Sequence, residues 1–437
     1  MSPPNILYLH SHDTGRYVSP YGYAVDTPNI QRLAEEGIVF RNAFSAAPTC
    51  SPSRAGLVSG SCPHSCGILG LAHRGFLIQP EKHIVHQLNK QGYTCHLRGI
   101  QHVYNDAFAL GYETVVKHTQ NAAVGSGSPS ALAEAFLSSQ PKEPFFLSVG
   151  FFDTHRKYPE LDPQDDTRYV RPPAHIPDLP ETREDWVTYC KSVKRLDEGF
   201  GIVLRALEEN GFADNTLVIC TTDHGLAWPR MKCNLTDPGI GIMLIIRGPG
   251  GFGGGKVCES LVSQIDLFPT ICDLLEIEKP DWLEGNSLMP IVRGESAEVD
   301  DEIFGEVTYH ASYEPQRCVR TKRYKYIRRF GDRRELVRPN IDASLTKTAM
   351  LDFGFGTFEQ EPEQLYDVML DPVEFRNLVN DPKHQDALKD MRKRLDDWMQ
   401  RTNDPLLKGP VPIPEGAWAT DPDELDPRGR RVGEKKE

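Results

Sequence analysis

Through the first 300 residues, short apolar runs alternate with stretches whose apolar positions recur at helical spacing, and this alternation restricts the fold more than any other feature. Asn5-Ile6-Leu7-Tyr8-Leu9 opens the series as a buried-strand run. Thr27-Pro28 then reads as a helix start, with proline at the first helical position, Ile30, Leu33 and Ala34 on one face, and Gly37 as the stop. Residues 38–44 read as a strand, 81–90 as a helix stopped by Gly92, and 93–97 as a strand. Residues 144–152, with Phe145-Phe146-Leu147, read as a central strand. Residues 186–210 form a long amphipathic pattern carrying Val193, Leu196, Phe200, Val203, Leu204 and Leu207. Residues 216–221 and 242–246 are further buried strands, and 264–275 a helix. Strands apolar throughout must be covered on both faces, and their alternation with helices implies a mostly parallel sheet. The expected fold class is α/β, a large mostly parallel sheet sandwiched by helices.

The pattern changes after about Arg293. Strands become short and polar-flanked, as in Tyr324-Lys325-Tyr326-Ile327, and a last helix over 385–402 carries Leu388, Met391, Leu395 and Trp398. This predicts a small antiparallel sheet with one packed helix. The expected division is a catalytic domain over 1–300, an α+β subdomain over 301–410, and an extended, partly disordered tail over 411–437, charged and apolar-poor from Asp421 on. The glycine-rich stretch 248–255 lacks the Lys-Ser/Thr ending of a phosphate loop and reads as a flexible loop.

With 39% hydrophobic and 25% charged residues in 437, the chain has the composition of a soluble globular protein. A formal net charge of −13 argues against nucleic-acid binding and against adhesion to anionic membranes. The sequence contains no bilayer-length apolar run, and no secretory leader is visible before the first strand, so the expected location is cytoplasmic. The 10 cysteines are scattered rather than arranged as a disulfide framework. Cys220 and Cys272 sit in apolar runs as buried thiols, and Cys62 and Cys66 have metal-like spacing but no second pair to complete a zinc site.

Chemistry-bearing residues gather where predicted strands end, which is where open α/β sheets place their sites. The first strand ends in His10-Ser11-His12-Asp13, and a later one in Thr221-Thr222-Asp223-His224-Gly225. Each is a metal-competent pair; taken alone, each also reads as a loop turn capped by Asp. Gly99-Ile100-Gln101-His102 and Phe151-Phe152-Asp153-Thr154-His155-Arg156 end two more strands. In Cys50-Ser51-Pro52-Ser53-Arg54, Pro52 can start a helix running to about Gly60, which puts residue 50 just before a helix N-terminus that favours an anion. Arg54, one turn in, can point back at it. An unmodified cysteine there is a low-pKa thiolate, so a thiol enzyme is the local rival.

The C-x-P-x-R pattern of Cys50 to Arg54, read on to Gly60 and taken with the two metal-competent pairs, resembles the type I sulfatases of the alkaline phosphatase superfamily. Thr27-Pro28-Asn29-Ile30 with Leu33, and Leu365-Tyr366-Asp367 followed by Asp371-Pro372 and Glu374, extend the resemblance over nearly the whole chain. Within the family it looks most like the heparan N-sulfatases, or sulfamidases, through 50–60 with His64 and Gly67, Asp153 to Arg156, Arg195-Leu196-Asp197-Glu198-Gly199, and Thr216 to Ile219 leading into Asp223. The resemblance implies that a maturation enzyme oxidises Cys50 to formylglycine, whose hydrate attacks a sulfate ester. It implies a divalent cation held by Asp13, Asp223 and His224 beside residue 50, with His12 standing where the family has Asp. Calcium is the ion implied; imidazole ligands suit manganese or zinc better. By the same resemblance Arg54 holds residue 50, His102 takes a proton from the hydrate and helps eject sulfate, His155 serves the leaving group, and Lys232 contacts sulfate. Ile100 replaces the family's lysine, a cation that Arg98 or His64 could supply, so His64 is a candidate substrate-binding residue. Arg156 is a candidate pocket residue beside His155. The expected function is hydrolysis of a sulfate ester or N-sulfate on a small or terminal sugar, since a charge of −13 disfavours gripping a long sulfated polymer. A phosphonate or phosphate ester hydrolase on the same scaffold is one rival. A catalytically weak carbohydrate-binding relative, suggested by Ile100, is another.

Overall fold

The computed structural model describes residues 3–118 and 122–433. Among the described residues eight strands form the main sheet: β1 Asn5–Ser11, β2 Ile38–Phe44, β3 Thr94–Gly99, β4 Thr114–Val116, β5 Phe145–Gly150, β6 Thr216–Thr222, β7 Leu244–Arg247 and β8 Lys256–Ser263. Their order is β4-β3-β5-β1-β6-β7-β2-β8. Only β7 runs against its neighbours, pairing antiparallel with both β6 and β2. β1, β5 and β6 are buried along their whole length, as expected of central strands covered on both sides.

Alternation along β1 shows both covers. Ile6 and Tyr8 join Leu97, Ile219 and Leu244 against Ala55 and Val58 of one layer. Leu7 and Leu9 join Leu147, Val149 and Val218 against Val193, Leu196, Phe200 and Leu207 of the helix Pro180–Glu209. That helix begins six residues earlier than its apolar pattern indicates, because Pro180 provides its start.

The smaller unit is an antiparallel sheet of β9 Glu302–Tyr309, β10 Tyr313–Thr321, β11 Tyr324–Arg329 and β12 Glu363–Asp367, ordered β12-β11-β10-β9. The helix Gln385–Arg401 lays Leu388, Met391, Leu395 and Trp398 on Val319, Tyr326 and Leu365. Among the described residues no helix is long and apolar enough to cross a membrane. All ten cysteines are free thiols.

The segment expected to be an extended, partly disordered tail is tied to the body as far as it is described. Ala419–Thr420 pairs with Arg431–Val432, and Ala417 and Ala419 are buried. Arg74 donates to Thr420 Oγ1 and to the Pro427 carbonyl, both at 3.0 Å, and lies 4.1 Å over the Trp418 ring. A few specific contacts thus hold a segment whose composition alone reads as solvated; residues 434–437 lie outside the described residues.

Candidate active site

Parallel pairing of β1 with β6 brings the two metal-competent pairs together. Ser11 lies opposite Thr222, so residues 12 and 13 emerge beside 223 and 224. Asp223 Oδ1 accepts from the backbone N–H of Asp13 at 2.8 Å and of His224 at 2.9 Å. Its Oδ2 lies 2.9 Å from His12 Nδ1 and accepts from Arg54 Nη2 at 3.0 Å. Asp13, at φ 49°, holds a left-handed backbone that turns its carboxylate inward.

Cys50 is the first residue of a helix, Cys50–Ser59, with Thr49 as N-cap. Its Sγ lies 3.4 Å from His224 Nε2. Helix geometry places Arg54 about one turn away. There Arg54 also donates to the Ser11 carbonyl at 2.7 Å and to His10 Nδ1 at 2.6 Å. Arginine has no acceptor, so His10 Nδ1 carries a lone pair and Nε2–H faces Ser148 Oγ at 3.2 Å. Burial and the Arg54 charge keep His10 neutral, well below the ordinary histidine range.

Lys232, wholly buried, bridges Asp13 Oδ2 at 3.1 Å and Asp342 Oδ2 at 3.2 Å. Burial alone would lower its pKa; Asp13, Asp342 and Cys50 outweigh that and raise it well above the ordinary lysine value. Burial would raise the Asp13 carboxyl, but Lys232, His155 and His224 overcome it and hold the group ionised. Cys50 follows the same balance. Burial favours the thiol, while Lys232 and His224 pull its pKa well below the usual value. Positive potential therefore converges on residue 50, suited to an anionic group there.

Two histidine-bearing loops close the site. His155 follows β5, and its Nδ1–H donates to the Arg156 carbonyl at 2.6 Å, which leaves Nε2 as the nitrogen with the lone pair. Its ring stands edge-on to His12 at 5.2 Å. His102 follows β3 after Gly99, where a Cβ would come within 2.0 Å of the Gly150 carbonyl oxygen. The His102 ring lies 5.7 Å from His12 and stacks on His73, with Nε2 3.0 Å from His73 Nδ1. A cavity of about 310 Å³ opens beside them, lined by His12, His73, Ile100, His102, Tyr104 and Phe152. A larger one of about 470 Å³ lies between Asp266, Asp300 and Trp398, lined by none of the candidate residues.

The structure thus brings together His12, Asp13, Cys50, Arg54, His102, His155, Asp223, His224 and Lys232. Three other candidates do not take the expected place. His64 is not in the cavity: its Nδ1 meets Glu306 Oε2 at 2.5 Å and its ring stands edge-on to Trp398, in the seam with the smaller unit. Arg98 donates to Thr114 and covers Phe136, so it cannot supply the cation absent at Ile100. Arg156 lies next to the site but is clamped by Asp185 at 2.6 and 2.7 Å and by the Ala227 carbonyl at 2.9 Å, which makes it a fixed support for His155 rather than a pocket cation. Sequence reading missed His73, His310 and Asp342. His310 is buried within electrostatic reach of Cys50 and Lys232, and Asp342 completes the Lys232 bridge. His73 and Asp342 come from connecting segments, and His310 follows β9 of the smaller unit, outside the parallel sheet whose strand ends mark the other residues.

The donor set at the centre fits a cation. His12, Asp13, Cys50 and Asp223 each offer a ligand atom within 4.8 Å of the others, and all four are buried. Asp13 Oδ1 has no aligned hydrogen bond despite full burial, and His12 Nδ1 meets Asp223 Oδ2 at 2.9 Å, so nitrogen and carboxylate oxygen face one another where an ion could take both.

A family model described as Sulfatase matches residues 4–277, and one described as N-sulphoglucosamine sulphohydrolase, C-terminal, matches residues 226–342. The chain is 29% identical over 465 residues to the N-sulphoglucosamine sulphohydrolase of Homo sapiens, covering 93% of this chain and 92% of that protein. It is 28% identical to a Delta 4,5-hexuronate-2-O-sulfatase of Bacteroides thetaiotaomicron, with 92% and 90% covered. Among solved structures, a 2-O GAG sulfatase superposes with a TM-score of 0.71 at 23% identity, covering 93% of this chain and 94% of that one.

Proposed function

We propose that this chain, which belongs to the sulfatase family, hydrolyses the sulfate ester or N-sulfate of a small or terminal sugar. The observation that carries the reading is the convergence of Cys50, Asp13, Asp223, Arg54 and Lys232 on one buried centre beside a cavity of about 310 Å³. That volume suits a sugar unit rather than a length of polymer. The sugar substrate class is supported by the sulfatases reported above, whose names refer to N-sulphoglucosamine, a hexuronate and GAG.

His12, Asp13, Asp223 and His224 would hold a divalent cation, with residue 50 facing it. Such an ion, when bound, supplies positive charge for the sulfate oxygens. Formylglycine at residue 50, which the family implies, supplies a hydrated oxygen nucleophile. The chain's own groups then have separable tasks. Arg54 fixes Asp223 and adds charge beside residue 50. Lys232 offers a buried ammonium to a sulfate oxygen while neutralising Asp13. His155, with Nδ1 locked on a carbonyl, moves a proton through Nε2 at the leaving oxygen or nitrogen. His102, which burial keeps well below the ordinary histidine range, is a base whose ring lies 5.7 Å from that of His12. Arg156 and Asp185 hold the His155 loop in place.

Turnover of a panel of sulfated sugars, aryl sulfates, phosphate diesters and phosphonate esters tests this, on protein whose residue 50 is an aldehyde by peptide mass. Release from glucosamine N-sulfate or a sugar O-sulfate is expected. The imidazole pair His12 and His224 favours phosphonate or phosphate ester hydrolysis as the second reading, and preferential turnover of those esters would replace the first.

A further inference from the structure

The family resemblance implies calcium; the donor atoms at this centre argue for a different ion. Calcium takes six to eight oxygen ligands. Among the described residues two carboxylates reach the centre, and about half of their lone-pair sites are committed. Asp223 Oδ1 already accepts two backbone N–H groups, its Oδ2 accepts from Arg54, and Asp13 Oδ2 accepts from Lys232. Asp13 Oδ1 is the carboxylate oxygen without an aligned donor.

Nitrogen, by contrast, is well presented. His224 Nδ1–H donates to the Gly225 carbonyl at 2.9 Å, which fixes the tautomer and leaves Nε2 as a lone pair. That Nε2 points between Asp13 Oδ1 at 3.3 Å and Cys50 Sγ at 3.4 Å. A backbone carbonyl orienting the far nitrogen is the usual support of a metal-bound imidazole. His12 Nδ1 faces the same space, 2.9 Å from Asp223 Oδ2 and 3.8 Å from Asp13 Oδ1, with no aligned hydrogen bond.

From these contacts we infer that the centre selects an imidazole-seeking divalent metal, zinc above manganese, over calcium, and that His12 sets the choice. Two imidazoles and two carboxylates suit a four- to five-coordinate borderline ion, and zinc stands above manganese for nitrogen ligands. Aspartate at position 12 would return a hard oxygen and shift preference towards calcium. This deepens the sulfatase reading and rests on its assignment of the metal centre.

The test is calorimetric titration of chelator-treated protein with Zn2+, Mn2+ and Ca2+, in a Cys50→Ala background so that a thiolate adds no zinc affinity of its own. One equivalent of Zn2+ is expected to bind about 100-fold or more tighter than Ca2+, and Co2+ to give the visible absorption of a low-coordinate nitrogen–oxygen site. His12→Asp is expected to reduce the zinc-to-calcium ratio about 10- to 100-fold. If that variant does not fold, His224→Asn is expected to act in the same direction. Asp223→Asn should abolish the tight equivalent; zinc bound as tightly by that variant sits on other side chains and overturns the inference. Tighter Ca2+ than Zn2+ binding, or a ratio unchanged in the folded variants, also overturns it. None of these readouts requires turnover, so the sulfatase reading stands or falls separately on sulfate release.

Discussion

Arg54 Nη2 lies 3.0 Å from Asp223 Oδ2, and both residues are almost wholly buried. Because the same guanidinium also grips the Ser11 carbonyl and His10, it ties the Cys50 helix to the tips of both central strands. Arg54→Ala is expected to lower kcat/KM about 10²- to 10³-fold, the usual cost of one preorganised donor. Arg54→Lys should recover little, since a point ammonium cannot span three acceptors. Steady-state kinetics on a sugar sulfate check both.

His155 is expected to matter in proportion to the leaving group. His155→Ala should reduce turnover of a sugar sulfate about 10²- to 10⁴-fold and turnover of an activated aryl sulfate much less. Equal losses on both substrates would remove His155 from proton transfer to the leaving atom.

Lys232→Met leaves the buried Asp13 and the partly buried Asp342 without their shared cation. Breaking such a pair costs about 3–5 kcal/mol. A fall of that order in urea-unfolding free energy is expected for chelator-treated protein, and a smaller fall when a bound cation neutralises Asp13. Comparison of the two unfolding curves tests whether Lys232 and the ion share the Asp13 charge.

His64 yields a prediction about stability rather than catalysis. Burial alone would lower its pKa, but Glu306 overcomes burial and raises it. A folded-state pKa above the unfolded value of about 6.5 means that the proton stabilises the fold fully below about pH 6.5. That contribution is lost as pH rises through the folded-state pKa. His64→Gln should cost about 2 kcal/mol at pH 6, with the difference from the parent protein shrinking as pH rises. Urea midpoints for the two proteins across pH 6 to 9 check the sign; a difference that grows with pH contradicts it.

The contrast between His64 and His155 shows what the sequence could and could not reveal. Strand-end positions were legible because an apolar run followed by polar residues fixes where a β-strand of a parallel sheet stops, and those ends share one edge of the sheet. His12, Asp13, His102, His155, Asp223 and His224 all lie at such ends, and Cys50 and Arg54 at a helix start. His64 and Arg156 carry equally suggestive chemistry, but their partners, Glu306 and Asp185, are 242 and 29 residues away. Local pattern contains nothing about those contacts. His310 and Asp342 were hidden for the same reason in reverse, because the smaller unit delivers them to Cys50 and Lys232. The contacts of residues 418–427 with the body depend on Arg74 meeting Trp418, Thr420 and Pro427, again a tertiary contact.

The most direct test of the account compares sulfate release from a sulfated sugar by two preparations. One is protein whose residue 50 is an aldehyde by peptide mass; the other is Cys50→Ala made in the same host. Release by the first and none above background by the second is the expected result. Equal release by both would show that residue 50 is not the reacting group, and the account of this centre would fall with it.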